Sequence, residues 1–382
     1  MTDLPAVLEL PPALVVLPGA KSATADAAGA RELRPPYARE MIEEAPVLLA
    51  HAAMTARRLG LNAPGRSRRI FDALELFAFV RPAMFTAPSA VGLAQALGLP
   101  EPKGPADQAG ALRAVCRMLL DELSATPWPS REEALMLAET LERGGWAWGP
   151  STVAALRSQP VRHSGRGSGL EIWSRVPEWE DQAPPGEPGS KPIEPEAAAH
   201  RLDDLLRRAG LDEARASQKV FAAETAFAFQ PREREGEPRM MLAEAGTGVG
   251  KTMGYLAPAS LWSEANGPAV WVSTYTRALQ RQIERESAAI YPDPAVRARK
   301  AVVRKGRENY LCLLNYQEQT QAAQLGNGDL IGLGLVARWA RATRDGDMTG
   351  GDFPATTGAA SSKRRCGPPS APTSSSPTTP WS

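Results

Sequence analysis

Cysteine is scarce: the 382 residues hold three, Cys116, Cys312 and Cys366. Three thiols cannot supply the paired framework that staples small secreted domains. Long apolar runs are missing as well. No stretch of 18 apolar residues exists, so no segment reads as a membrane-spanning helix. The opening MTDLPAVLELPP has no basic start and is broken by prolines, so no signal peptide is expected and a cytoplasmic location is the default. There is no excess of one charge. Lys+Arg at 44 against Asp+Glu at 43 leaves +1, which excludes a histone-like or polyanionic chain but permits a local basic surface. Histidines number three, and neither HExxH nor CxxC occurs, so no standard zinc spacing is present.

What remains is ample for globular folding. Apolar residues make up 43%, and the length suits two or three domains. The 33 glycines and 35 prolines point to linker within the chain. Of the 44 basic residues 36 are Arg, a side chain suited to bidentate phosphate contact.

Residues 1–38 are proline-punctuated, with room for short strands in VLELPPALVVLP. The pattern then predicts a helix from Ala38 to Leu59, stopped at Gly60. Ile70–Val80 is a short, strongly apolar run. Ser89 is placed to cap SAVGLAQALG. Residues 106–124 set Leu112, Val115, Cys116, Leu119, Leu120 and Leu123 on one helical face. Ser130 and Glu133 have capping-box spacing. Residues 1–157 are therefore expected as a mostly helical accessory domain. Residues 158–196 are Pro/Gly/Ser-rich, as linkers are, but enclose LEIWSRVPEWE, whose Trp173 and Trp179 are suited to docking on a neighbouring surface. From 197 the chain is helical to 229 and then turns α/β. MMLAEA (240–245), AVWVST (269–274) and Ala301–Val303 read as strands separated by helices, which argues for a parallel sheet. Residues 356–382 hold seven Ser, five Thr and five Pro, a composition expected to be disordered.

One motif carries chemistry. Ala245, Gly246, Thr247, Gly248, Val249, Gly250, Lys251 and Thr252 fit the phosphate-loop pattern. Glycines let successive backbone N–H groups surround a phosphate. Lys251 supplies a point charge to the β/γ-phosphates, Thr252 a hydroxyl to Mg²⁺, and the following helix its positive end. The six cations Arg297, Arg299, Lys300, Arg304, Lys305 and Arg307, next to Tyr310, form a basic patch of the kind that tracks a nucleic-acid backbone.

EAGTGVGKT, then VWVSTYTRALQRQIERE, then VVRKGRENYLC resembles the DinG-type, XPD-like, iron–sulfur DNA helicases of superfamily 2, over about Arg215 to Pro354. The resemblance implies a partial RecA-like domain over 197–354 that binds ATP and Mg²⁺ and contacts single-stranded DNA, with 5′→3′ polarity in the complete enzyme. It implies that Arg215 and Gln218 form the adenine-recognising element. It implies that Ser273, Thr274, Thr276, Arg277 and Gln280 form the motif Ia contact with the DNA backbone, joined by Lys305 and Arg307. It makes Cys312 the first ligand of a four-cysteine [4Fe–4S] cluster, since thiolates are what such clusters need. The N-terminal half, through VLLAHAAMTARRLGL and RSRRIFDALELFAFVRPA, resembles the DnaQ-like exonuclease module that some DinG-type helicases carry. It lacks that module's Asp-x-Glu strand, and His51 with Asp72 cannot alone assemble a two-metal site. This half is accordingly read as a degenerate or unrelated module.

The resemblance also departs from its pattern. No Asp-Glu-x-His follows the phosphate loop, and that acid holds Mg²⁺ and orients the attacking water. No second RecA-like domain and no further cluster cysteines are recognisable, and the pattern gives way abruptly to the Ser/Thr/Pro tail, as a shifted frame or truncated gene would. Three functions therefore stand side by side: a helicase ATPase, a nucleotide- or DNA-binding fragment without catalysis, and an unrelated phosphate-loop kinase or transferase.

Overall fold

The fold is seen in a computed structural model. It describes residues 9–353 apart from 45, 63–68, 127, 129, 162–166, 174–188, 212–214, 235, 238, 344–345 and 350–351. The expected disordered tail with Cys366, and Trp179, lie outside the described residues. The chain divides into two compact units: Met1–Glu178 with Lys305–Ser382, and Trp179–Arg304.

The first unit holds an α/β arrangement. Strands β1 (Ala13–Val16), β2 (Ser22–Ala25) and β3 (Ala30–Leu33) form an antiparallel meander. Helix α1 (Pro35–Glu44) leads to β4 (Val47–Leu49), and α2 (Ala52–Arg58) leads to β5 (Ile70–Asp72). β4 lies parallel to β1, with Ala13 opposite Leu48, and β5 lies parallel to β4, with Leu48 opposite Phe71. The sheet order is β3-β2-β1-β4-β5. Both faces are covered. Ala13, Val15, Ala23, Ala25 and Leu48 join the larger core, while Leu14, Val16, Val47 and Leu49 join a second cluster with Ala38 and Ile42 of α1. This is the two-residue alternation a strand imposes, with apolar side chains on both sides.

The single helix expected over Ala38–Leu59 is thus two helices around a strand. Pro46 interrupts the helical backbone, and Val47–Leu49, fully buried, gain ladders on both sides. The N-terminal half carries the whole described sheet, which is mixed rather than parallel.

Helices α3 (Ala73–Val80), α4 (Ala90–Ala96), α5 (Pro105–Ser124), α6 (Arg131–Arg143) and α7 (Gly149–Arg157) pack on the larger core. The predicted stripe of α5 is buried throughout. Ser89 caps α4 by accepting from the Gly92 N–H at 3.0 Å. Ser130 does not make the expected capping box: it sits left-handed at φ 54° and its hydroxyl caps nothing. In its place Arg131 holds the segment, donating to the Leu123 and Leu156 carbonyls at 2.7 and 3.0 Å.

Two carboxylates sit where β5 runs into α3. Asp72 caps both helices, accepting from Ala52 N–H at 2.8 Å and Leu74 N–H at 3.0 Å. Glu75 accepts from the Trp146 indole at 2.9 Å, and the Trp148 indole donates to the Asp72 carbonyl at 2.8 Å. Burial, together with the Glu75 charge, pushes the Asp72 carboxyl up to about 8.

Chain beyond the second unit returns to this core. Helix α13, defined at Leu313–Gln324, and helix α14, at Leu330–Ala340, bury Tyr316, Leu333, Leu335, Val336 and Trp339 in the same cluster. The Tyr316 hydroxyl reaches the Leu170 and Leu333 carbonyls, each at 3.2 Å. Leu170 and Ile172 are fully buried, and Trp173 packs beside Tyr316, so part of the expected linker is core, with Trp173 docked as its aromatic character suggested. Gly334 gives α14 its close approach to α6: a Cβ there would lie 2.5 Å from the Leu141 side chain. Arg338 is buried between the Phe79 and Trp128 rings, 5.2 Å from each centroid, and donates to the Phe79 carbonyl at 2.9 Å. Burial lowers its pKa to about 10, so it stays charged at neutral pH.

The second unit is helical among its described residues: α8 (Pro195–Arg208), α9 (Ala216–Thr225), α10 (Lys251–Asn266), α11 (Arg277–Ile290) and α12 (Pro294–Lys300). Leu202, Leu205, Leu206, Ala222, Met253, Leu256 and Ile290 form its core. The strands expected at 240–245, 269–274 and 301–303 are irregular chain. Leu242 is fully exposed and Trp271 is 86% exposed. A strand exists by its ladder, and among the described residues none of these segments has a partner.

Two outcomes test these contacts. A carboxyl raised from near 4 to about 8 binds its proton more tightly when folded. Its stabilisation is full below pH 4 and is lost as pH rises through 8. Thermal unfolding of the chain should therefore fall in midpoint between about pH 5 and 8, and Asp72→Asn should flatten that fall. Arg338→Ala leaves the Phe79 carbonyl without its donor and removes both ring contacts, at a cost of about 3 kcal/mol in denaturant unfolding. An unchanged midpoint would exclude a role for Arg338 in locking α14.

Candidate nucleotide site

The phosphate-loop motif lies at the start of α10. Gly250 is its N-cap at φ 82° and Gly248 turns the loop at φ 79°, conformations that favour glycine. The loop thereby delivers the chain to the positive end of α10. The Lys251 ammonium bends back over the loop, donating to the Ala245 carbonyl at 2.8 Å and the Gly246 carbonyl at 3.1 Å. Thr252 follows, buried, in the first turn.

Helix α9 supports the loop from beneath. Gln218 is buried and its amide donates to the Gly250 carbonyl at 3.2 Å. Arg215, at the N-cap of α9, donates to the Gly248 carbonyl at 3.3 Å. Arg215 and Gln218 are therefore brought to the loop, and they bond its backbone. A Cβ on Gly250 would lie 2.3 Å from the Gln218 amide nitrogen, so that amide would have to shift, and the positive φ itself favours glycine there.

Thr252 has a partner that sequence reasoning did not find. Its Oγ1 accepts from Gln282 Nε2 at 3.2 Å, and the same amide nitrogen donates to Glu286 Oε1 at 2.7 Å. Burial raises the Glu286 carboxyl above the usual carboxylate range, against the pull of Gln282 and Arg285. Glu286 Oε2 is buried with no hydrogen-bond partner among the described residues. Spacing was the available signal: 282 and 286 are four apart on one face of α11.

The chemistry of these donors fits a nucleotide triphosphate and its cation. Two left-handed glycines, a helix N-terminus and an ammonium suit a polyphosphate, and a hydroxyl at the first turn suits Mg²⁺. They fit no iron–sulfur cluster. Cys312 is half-buried at the N-cap of α13 in the first unit, while Cys116 is fully buried in α5, where burial pushes its thiol up. Among the described residues no group of three His, Cys, Asp or Glu is placed to hold a metal.

The expected DNA-contact residues are divided between the units. Thr276 caps α11, accepting from Leu279 N–H at 3.2 Å, and Thr274 and Gln280 lie near it in sequence, half-buried. The Arg277 side chain lies outside the described residues. Lys305 and Arg307 belong to the first unit. Lys305 is ion-paired with the buried Asp347, which commits its charge, and Arg307 is exposed in a 3₁₀ turn. In the N-terminal half, His51 caps α2, its Nδ1 accepting from Met54 N–H at 3.5 Å, and Asp72 caps as described, so both act structurally. Among the described residues, no helix is long and apolar enough to cross a membrane.

Curated relatives share part of this sequence. The chain is 32% identical over 136 residues to the 3'-5' exonuclease DinG of Bacillus subtilis, covering 36% of this chain and 14% of that protein. It is 34% identical over 110 residues to the ATP-dependent DNA helicase YoaA of Haemophilus influenzae, covering 28% of this chain and 17% of that one. It is 38% identical over 103 residues to the ATP-dependent helicase DinG of Mycobacterium tuberculosis, covering 26% and 15%. The matched stretch thus spans about a seventh of the length of these relatives. No family model matches the chain, and no solved structure matches it.

The Gly250–Gln218 approach gives a direct check. Gly250→Ala adds a Cβ at positive φ against Gln218, a strain of about 1–3 kcal/mol. The expected result is a lower unfolding midpoint for the second unit, with near-normal behaviour in Gly246→Ala, where a Cβ meets nothing closer than Val249 at 4.0 Å.

Proposed function

We infer that this chain is an N-terminal portion of a DinG-type ATP-dependent DNA helicase, whose second unit binds ATP with Mg²⁺ and engages single-stranded DNA. The observation that carries this is the loop 245–252 opening α10, with Arg215 and Gln218 bonded to its backbone. The similarity to helicases named DinG and YoaA supports it.

Lys251 and Thr252 are the residues that would hold the triphosphate and its cation. The Lys251 ammonium would exchange its carbonyl partners for phosphate oxygens, gaining charge-assisted bonds. Thr252 would present its hydroxyl to Mg²⁺, which neutralises phosphate charge when bound. Thr274, Thr276, Arg277 and Gln280 would contact the DNA backbone with hydroxyl, guanidinium and amide donors. A protein with this task works in the cytoplasm, beside DNA. The first unit is proposed as an accessory, degenerate exonuclease-like module. Its sheet supports that reading, as does the structural use of His51 and Asp72.

Turnover is a separate matter from binding. Chain after the phosphate loop contains no Asp-Glu-x-His, so the chain as it stands is proposed to bind nucleotide and strand without efficient hydrolysis.

Titration with a fluorescent ATP analogue tests the reading. Binding should be Mg²⁺-dependent and weakened at least about tenfold by Lys251→Ala, the loss of one charge-assisted contact to phosphate. Unchanged affinity in that variant would remove the nucleotide assignment. Binding of oligo-dT should fall linearly in log K against log salt, as counterion release requires. A flat salt response would remove the DNA assignment.

A further inference from the structure

The Thr252 hydroxyl is tied to α11 through one side chain. Gln282 uses both amide hydrogens, one on Thr252 Oγ1 at 3.2 Å and one on Glu286 Oε1 at 2.7 Å. An amide nitrogen committed to two acceptors has its plane fixed, and here one acceptor is the hydroxyl expected on the cation. Glu286 is itself constrained. Its Oε1 is taken by Gln282, and its Oε2 is buried without a partner among the described residues. The same helix begins at the Thr276 cap, six residues before Gln282, where strand contact is proposed.

We propose that Gln282, held in place by Glu286, is a positioning residue for the Mg²⁺ that accompanies ATP, and that α11 carries strand engagement at its first turn to that cation. The inference rests on the nucleotide reading above. By donating to Thr252 Oγ1, Gln282 occupies one lone pair of that oxygen and leaves the other for the cation. It thus acts as hydrogen-bonded partners of metal-binding groups do, fixing orientation without touching the ion. Glu286 sets the amide plane, and its acceptor role is also met by an amide oxygen. A shift of α11 at Thr276 moves Gln282 with it, because a helix transmits displacement along its axis.

The test measures nucleotide affinity on the full chain with a fluorescent ATP analogue, in Mg²⁺ and in EDTA, with and without oligo-dT. In the unsubstituted protein, Mg²⁺ should tighten binding and oligo-dT should tighten it further. Gln282→Ala should lose about tenfold of the Mg²⁺-dependent gain, the range seen for such outer partners, and should lose the oligo-dT effect. Its affinity in EDTA should match the unsubstituted protein, which also reports that the loop is folded. Glu286→Ala should lose part of the gain, and Glu286→Gln should restore most of it. A full Mg²⁺ gain in Gln282→Ala, or an equal loss in EDTA, would overturn the proposal while leaving the nucleotide reading intact. An unsubstituted protein that binds nucleotide with no Mg²⁺ gain would overturn the proposal and the Mg²⁺ part of the reading, leaving nucleotide binding alone. An oligo-dT effect that survives in Gln282→Ala would overturn the relay along α11. Absence of nucleotide binding in both conditions would overturn the reading and the inference together.

Discussion

The hydrogen bond from the Gln218 amide to the Gly250 carbonyl is the contact on which the second unit's site depends. A phosphate loop normally hangs between a strand and a helix. Here the chain before the loop makes no ladder among the described residues, so the helix side bears the geometry. Gln218 and Arg215, one turn apart on α9, grip the two turning points of the loop. The α8–α9–α10 core, with Leu202, Leu206, Ala222 and Leu256, keeps α9 where that grip is possible. Packing in the unit therefore fixes the loop from one side, and α11 fixes Thr252 from the other.

The first unit obeys a different constraint. Its sheet is short, and each face needs a cover. α1 and α2 cover one face and α5 the other, and the large aromatic side chains at Trp146, Trp148 and Trp339 fill what remains. Several polar groups within that core have a partner of matching chemistry, whereas the buried Thr24 hydroxyl of β2 has no hydrogen-bond partner among the described residues. The two indoles bond Glu75 and the Asp72 carbonyl, and Arg338 is flanked by two ring faces and a carbonyl. Such arrangements are costly to break from one side only.

Much of this was legible in the residues. The α5 stripe, the Ser89 cap, and the loop with its helix all follow from local rules, because each depends on neighbours within a few positions. The strand at Val47–Leu49 was not legible, since three apolar residues fit a helix as well as a strand until β1 and β5 are known to flank them. The Lys305–Asp347 and Arg341–Glu133 pairs join residues 42 and 208 positions apart, a separation that no local pattern encodes. At the candidate site the glycine-rich turn into α10 was legible and the Gln282–Glu286 contact with Thr252 was not, because that contact comes from the next helix across the space and not along the chain.

One consequence follows from the order of synthesis. The first unit is interrupted at residue 178 and resumes at 305, and α14, which buries Trp339 in its core, begins at residue 330. A ribosome adds roughly 5–20 residues each second. The sheet and α3–α7 therefore wait on the order of ten seconds, with the α14 face uncovered, while the intervening unit emerges. The nascent chain presents an apolar surface during that interval, and a chaperone that shields such surfaces has its best opportunity before Leu330 leaves the tunnel.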